Sequence, residues 1–371
     1  MKFIDEFRQG GAARHLVEDI RIHSKEVRMT FMEVCGTHTM AIARNGIRSL
    51  IPENIQLISG PGCPVCVTPN WIVDYGVALS RKSDVTVTTF GDMMKVPGSS
   101  SSLDGEHARG GDIRVVASTL EALTLAEKNP HKKIVFLGIG FETTAPTVAA
   151  SLIEARKRNM KNYFVLSAHK VMPPAMEALS TGDVRINGYL CPGHVSAIIG
   201  SKPYDFLARE YGICCVVGGF EPLDILQSIL MLVKQVINKK PQVEIQYSRV
   251  VRPEGNPTAQ EAIYTVFKPC DSEWRGVGSI PHSGLSIHED FSLWNAEVQI
   301  PVDLEPTQEP KGCLCGQVLQ GKVKPPSCRH FGKSCTPGNP VGPCMVSSEG
   351  TCAAYFKYKI GMEGWKNGVM E

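Results

Sequence analysis

Eight short apolar, β-branched runs bounded by Gly and Pro recur through the first 220 residues, and they constrain the fold more than any other feature. They are MTFMEV (29–34), IQLIS (55–59), VTVTTF (85–90), IRVVAS (113–118), IVFLGI (134–139), YFVLSA (163–168), INGYL (186–190) and ICCVVG (213–218). Unbroken rather than alternating apolar runs suit strands covered on both faces, as in parallel sheets. Helix-like segments lie between them, among them 145–158 and 224–238. In the latter, Ile225, Leu226, Ile229, Leu230, Leu232, Val233 and Val236 form one broad apolar face. Alternating strands and helices predict an α/β architecture with doubly wound parallel sheets.

A chain of 371 residues exceeds the usual size of one core, so several domains are expected. GIGFETTAP (138–146) echoes VGGFEPLD (217–224): each follows a predicted strand and opens a helix with Gly-Phe-Glu. The echo predicts two related α/β domains, 1–120 with the N-terminal helices and 121–240. From 241 to 371 the chain has more Pro and Gly, fewer periodic runs and most of the cysteines. That stretch reads as a loop-rich domain ordered by a metal.

A net charge of +2 gives no electrostatic case for nucleic acid or an anionic membrane. MKFIDEFRQGG carries acids in its first six residues and no apolar h-region, so no signal peptide is read. The longest apolar-plus-glycine stretch, Ile134 to Phe141, is too short to span a bilayer. The expectation is a cytoplasmic protein. Thirteen cysteines in such a compartment argue against structural disulfides and for metal or redox chemistry.

The unusual residues follow the predicted strands: VCGTHTM (34–40), GPGCPVC (60–66), TTFGDMMKVPG (88–98), GIGFETTAP, SAHK (167–170) and CPGHVS (191–196). Ligands of open parallel sheets bind outside the carboxyl ends of the strands. The predicted site is therefore a cleft lined by Cys35, His38, Cys63 and Cys66, with Asp92, Glu142 and His194 as further candidates. A helix opening at CGTH would lower the Cys35 thiol pKa, with His38 on the same face to assist. A buried thiol acting as a small hydrophobe is the plain alternative. Cys63 and Cys66 can close a disulfide if their Cα atoms lie within about 7 Å. A Cys₃His zinc set with Cys35 and His38 competes with that reading. Glu142 either caps a helix, bonds a loop amide or acts as a catalytic carboxylate.

Cys313, Cys315, Cys328, Cys335, Cys344 and Cys352 crowd the last sixty residues. From Cys315 the pattern is C-x₁₂-C-x₆-C-x₁₆-C, too irregular for a zinc ribbon and unlike the common ferredoxin runs. Four thiolates from separate loops can still hold a [4Fe–4S] cluster. Five Lys or Arg and no acid from Lys311 to Cys335 would offset its charge. Zinc and plain reduced thiols are the rival readings. Cys191, Cys214, Cys215 and Cys270 read as core residues, the tandem pair facing opposite sides of a strand.

The segments EVCGTHT, SGPGCPVCVTP, TFGDMMKVPGS, GFETTAPT, CPGHVS and VSSEGTCAAYFKY together resemble the HypD family of [NiFe]-hydrogenase maturation proteins over essentially the whole chain. The resemblance implies two related α/β domains plus a C-terminal iron–sulfur domain. It also implies a redox-active scaffold, rather than an independent enzyme, on which the Fe(CN)₂CO unit is assembled. Iron would sit between Cys35 and a thiolate of a HypC-type chaperone, cyanide would come from a HypE-type donor, and the unit would pass to the hydrogenase large subunit. Cys315, Cys328, Cys335 and Cys352 would hold the [4Fe–4S] cluster, with Cys313 as the alternate first ligand and Cys344 a possible substitute. Cys63 and Cys66 would exchange electrons with it. A stand-alone thiol–disulfide oxidoreductase and a zinc-stabilised binding module are the alternatives.

Overall fold

The computed structural model describes residues 8–360 and, beyond them, two short backbone strands at Trp365–Lys366 and Val369–Met370. The first seven residues, part of the stretch read as helical, lie outside the described residues. A helix does run over Gly10–Ser24 and packs on the helix Pro222–Ile237.

All eight predicted strands form: β1 (Met29–Glu33), β2 (Ile55–Ser59), β3 (Val85–Thr89), β4 (Ile113–Val115), β5 (Lys133–Gly138), β6 (Tyr163–Ser167), β7 (Gly188–Pro192) and β8 (Cys214–Gly218). A ninth, β9 (Val243–Ile245), extends the series. One parallel sheet has the order β2-β1-β7-β8-β9 and the other β4-β3-β5-β6. The predicted helices appear as Ala145–Lys157 and Pro222–Ile237. Gly-Phe-Glu sits between strand and helix in both sheets, at 140–142 and 219–221.

The division expected at residue 120 does not coincide with the sheets. The chain starts one sheet with β1 and β2, builds the whole second sheet with β3 to β6, and returns to the first with β7 to β9. Residue 120 falls between β4 and β5 of one sheet. Strand patterning is local, whereas the choice of neighbour is made by crossovers dozens of residues long, so position along the chain is a poor guide to sheet membership. The two sheets also share a core: Val87, Leu137 and Leu166 of one meet the cluster holding Tyr189, Cys215 and Val217 of the other.

Residues beyond 240 do not form one separate body. β9 belongs to a sheet, and the helix Pro257–Val266 packs on Ala145–Lys157. An antiparallel hairpin, β10 (Phe267–Trp274) and β11 (Gly278–Ile287), leans on the helix Met172–Ser180. Only the last stretch has its own small core, of Phe331, Cys335, Met345 and Tyr355. Its short helices Pro343–Val346 and Thr351–Lys357 pack against Pro64–Val67 and Gly36–Arg44, the helices that follow Cys63 and Cys35. No helix among the described residues is long and apolar enough to cross a membrane.

Candidate functional site

Parallel pairing of β1 with β2 sets Glu33 opposite Ser59, so the loops leaving both strands emerge side by side. Cys35 lies in the first and Cys63 in the second. The Gly36 amide donates to the Gly62 carbonyl at 2.9 Å, tying the two loops together. Cys35 caps the helix Gly36–Arg44, and Cys63 caps the short helix Pro64–Val67, its sulfur accepting the Cys66 amide at 3.2 Å.

The expected lowering of the Cys35 pKa is not found. Burial, followed by the Glu349 carboxylate, pushes the thiol up to about 11, although the His38 and Thr37 amides pull the other way. A one-turn gain from a helix terminus is of order 1 kcal/mol, and desolvation of a buried thiolate exceeds it. The free thiol therefore keeps its proton near neutral pH.

His38 does not join Cys35 through its ring. Its Nε2 donates to the carbonyls of Gly219 (2.9 Å) and Gly218 (3.2 Å) at the end of β8, and its Nδ1 is buried without a partner. Burial lowers its pKa to about 4, so the imidazole is neutral. Phe220 lies against His38 on one side and stacks on His194 at 4.0 Å on the other. Burial also lowers the His194 pKa.

Cys35, Gly62, Pro64, Phe141, Met172 and His194 line a mainly apolar cavity of about 390 Å³. Glu349 and Thr37, hydrogen-bonded at 2.7 Å, form a wall shared with a second cavity of about 500 Å³ that holds Arg8, Arg44 and Lys357. Glu142 lies behind the cleft: Oε1 accepts the Met172 amide at 2.9 Å, while Oε2 is buried and unpartnered. Burial raises its pKa to about 7. Asp92 grips the Glu349 loop instead of lining the cleft, accepting from the Ser347 hydroxyl at 2.9 Å and the Ser348 amide at 3.3 Å.

The cysteines at the two ends of the chain meet. Cys63, Cys66, Cys315 and Cys344 belong to one buried cluster against which Cys313 and Cys352 pack, and the thiols of Cys66, Cys344 and Cys315 act on one another electrostatically. Cys328 and Cys352 pack with Cys335 in the small C-terminal core. The Cys335 sulfur accepts the Val341 amide at 3.3 Å, which favours a thiolate, but burial outweighs that contact and raises the pKa of the free thiol. These sulfurs, from separate turns, have the chemistry of an iron–sulfur ligand set. Among the described residues, no three His, Cys, Asp or Glu side chains are drawn in to metal-holding distance. All thirteen cysteines are free thiols.

Cys191, Cys214 and Cys215 are buried as expected; Cys214 joins the core on one face of its sheet and Cys215 the core on the other. Cys270 departs from that reading. It is half-exposed on β10, in the field of Lys170. Sequence reasoning missed Glu349 and undervalued Cys344. The first was visible only as the acid of VSSEGTC, and the second fits no ligand spacing because its neighbours come from elsewhere in the chain.

Comparison with known proteins agrees with the resemblance. The HypD family model, described as the hydrogenase formation hypA family, matches residues 11–359. The hydrogenase maturation factor HypD of Cupriavidus necator is 44% identical over 368 residues, covering 96% of this chain and 97% of that protein. HypD of Escherichia coli K12 is 44% identical over 370 residues, covering 97% and 98%. A putative hydrogenase expression/formation protein of Methanocaldococcus jannaschii is 43% identical over 339 residues, covering 91% and 94%. The chain thus belongs to the HypD family of hydrogenase maturation factors.

Proposed function

We propose that the chain is a cytoplasmic scaffold on which the Fe(CN)₂CO unit of [NiFe]-hydrogenase is assembled, the iron being cargo bound at Cys35. The observation that carries this reading is the meeting of a cleft thiol, a CxxC pair and a C-terminal thiol group in one continuous region. Ferrous iron bearing cyanide and carbon monoxide is soft and suits thiolate ligands. Iron binding would discharge the Cys35 proton that burial now retains. The apolar walls from Phe141 and Met172 would keep water from the bound unit. The open side of the cleft leaves room for the second thiolate, supplied by a HypC-type chaperone, and for a HypE-type cyanide donor. Glu142, with a pKa near neutrality and one free oxygen, is suited to hold or release a proton behind the cleft.

Cys328, Cys335, Cys352 and Cys313 would hold a [4Fe–4S] cluster. Of the CxC pair, Cys313 is put forward because Cys335 lies in the field of Cys352 and Cys313, although Cys315 also lies in the field of Cys352. When bound, such a cluster supplies single electrons. On the protein side, Cys63 and Cys66 as a dithiol release two electrons and two protons on forming a disulfide. Cys344 and Cys315, buried in the same cluster as Cys63 and Cys66, lie between that pair and the C-terminal group. A stand-alone oxidoreductase fits less well, because both CxxC sulfurs are buried and closed to an external disulfide.

The test is infrared spectroscopy of the complex with the chaperone. Cys35→Ser should keep the visible absorbance of the cluster and lose the cyanide and carbonyl bands; bands that persist would place the iron elsewhere.

A further inference from the structure

The hairpin turn between β10 and β11, WRGVG (274–278), belongs to none of the segments that define the site, yet it reaches both cysteine groups. The Arg275 amide donates to the Val67 carbonyl at 2.8 Å, next to Cys66. Gly276 is pressed on the helix Cys315–Leu319: a β-carbon there would stand 2.2 Å from the Gly316 Cα, and Gln320 Nε2 donates to the Gly276 carbonyl at 2.5 Å. Trp274, fully buried, lies against Phe141 of the cleft wall at 5.9 Å. The turn is therefore wedged between the CxxC helix and the CxC helix.

Arg275 carries its charge into this wedge. The residue is 4% exposed. Its Nε donates to Glu309 at 3.0 Å, but Glu309 is 58% exposed and Nη1 is buried without any hydrogen-bond partner among the described residues. A guanidinium cannot shed its proton to relieve burial. Burying it with one solvated partner is expensive unless further negative charge faces it. The CxC pair opens the helix on which the next residue, Gly276, is pressed, and its thiols, once deprotonated by a metal, would supply that charge.

We propose that Arg275 is a positioning residue for electron delivery, its buried charge stabilising the more negative, reduced state of the thiolate-bound C-terminal centre and so raising that centre's reduction potential. This rests on reading the C-terminal cysteines as an iron–sulfur site. Removing the charge disfavours the reduced state; removing Glu309, which partly cancels it, does the reverse.

The experiment is an anaerobic redox titration of the full chain, reconstituted with iron and sulfide and followed by visible and electron paramagnetic resonance spectra. Arg275→Met should lower the equilibrium constant for reducing the centre about tenfold, which is about 59 mV for a one-electron couple. Arg275→Lys should recover most of that shift, and Glu309→Gln, at an exposed position, should shift the potential upward. Loss of iron from the Met variant alone, with the Lys variant loaded, also supports the proposal, since it makes the charge a condition of assembly. If both Arg275 variants fail to load, Glu309→Gln decides. A potential that none of the loaded variants moves overturns the proposal. A wild-type chain that takes up no iron and sulfide instead overturns the iron–sulfur reading beneath it, and the two failures are told apart by metal analysis of the wild type.

Discussion

A β-carbon on Gly62 would stand 2.4 Å from the Cα of Cys35 and 2.2 Å from its amide nitrogen. The cleft thiol and the CxxC loop are thus in backbone contact, which only glycine permits. Gly62→Ala must push one loop off the other. The expected outcome is a loss of about 2–4 kcal/mol in urea denaturation, with faster alkylation of Cys35 as its loop opens. Unchanged stability and unchanged alkylation would show that the two loops are not in contact.

On the proposed iron–sulfur reading, the CxC pair separates by role. Cys313→Ser should lose the visible absorbance of the reconstituted protein together with most of its iron. Cys315→Ser should keep both, because on that reading Cys313 is the ligand. Iron and sulfide analysis of the two variants decides. A reversed result would make Cys315 the ligand, and stoichiometric zinc without iron would replace the cluster reading altogether.

Glu142 has a signed effect on stability. Its folded pKa, about 7, lies above its ordinary value of 4.5 because burial disfavours the anion. The stability it contributes is full below pH 4.5, falls as the unfolded carboxyl ionises above that, and is lost as pH passes 7. The total change is about 3 kcal/mol. Glu142→Gln keeps an acceptor for the Met172 amide and removes the titration. Denaturation midpoints should therefore be similar at pH 4.5 and higher in the variant at pH 8; a wild type with no such decline would sink the assignment.

Asp92 acts on the Glu349 loop. Asp92→Ala removes the acceptor for the Ser347 hydroxyl and the Ser348 amide. Exchange of the Ser348 amide with deuterium should accelerate at least tenfold, at a global cost of about 1–2 kcal/mol. Protection equal to wild type would mean the loop is held by its contacts with Gly36 and Thr37 instead.

Much of this molecule was legible in the sequence because its signals are local. β1 to β8 fall on the eight apolar runs, and Ala145–Lys157 and Pro222–Ile237 end within two residues of the predicted helices. The loops that carry the candidate residues follow the strands, where parallel sheets place their ligand crevices. Residue types also marked Cys35, Cys63, Cys66 and His194, whose backbones or side chains surround one region.

What the tertiary structure decided depends on residues far apart in the chain. The return of β7 to β1 makes the first sheet from two distant segments, which no boundary at residue 120 could express. His38 is turned to the carbonyls that end β8, so it is neutral and braced rather than poised over Cys35. Cys35 is a high-pKa thiol chiefly because folding buries it, and secondarily because Glu349, more than 300 positions later, shares its wall. Cys344 fits no spacing rule, yet it sits between Cys66 and Cys315. Hydrophobic patterning is written residue by residue, while desolvation and charge–charge energies belong to whichever segments folding brings together.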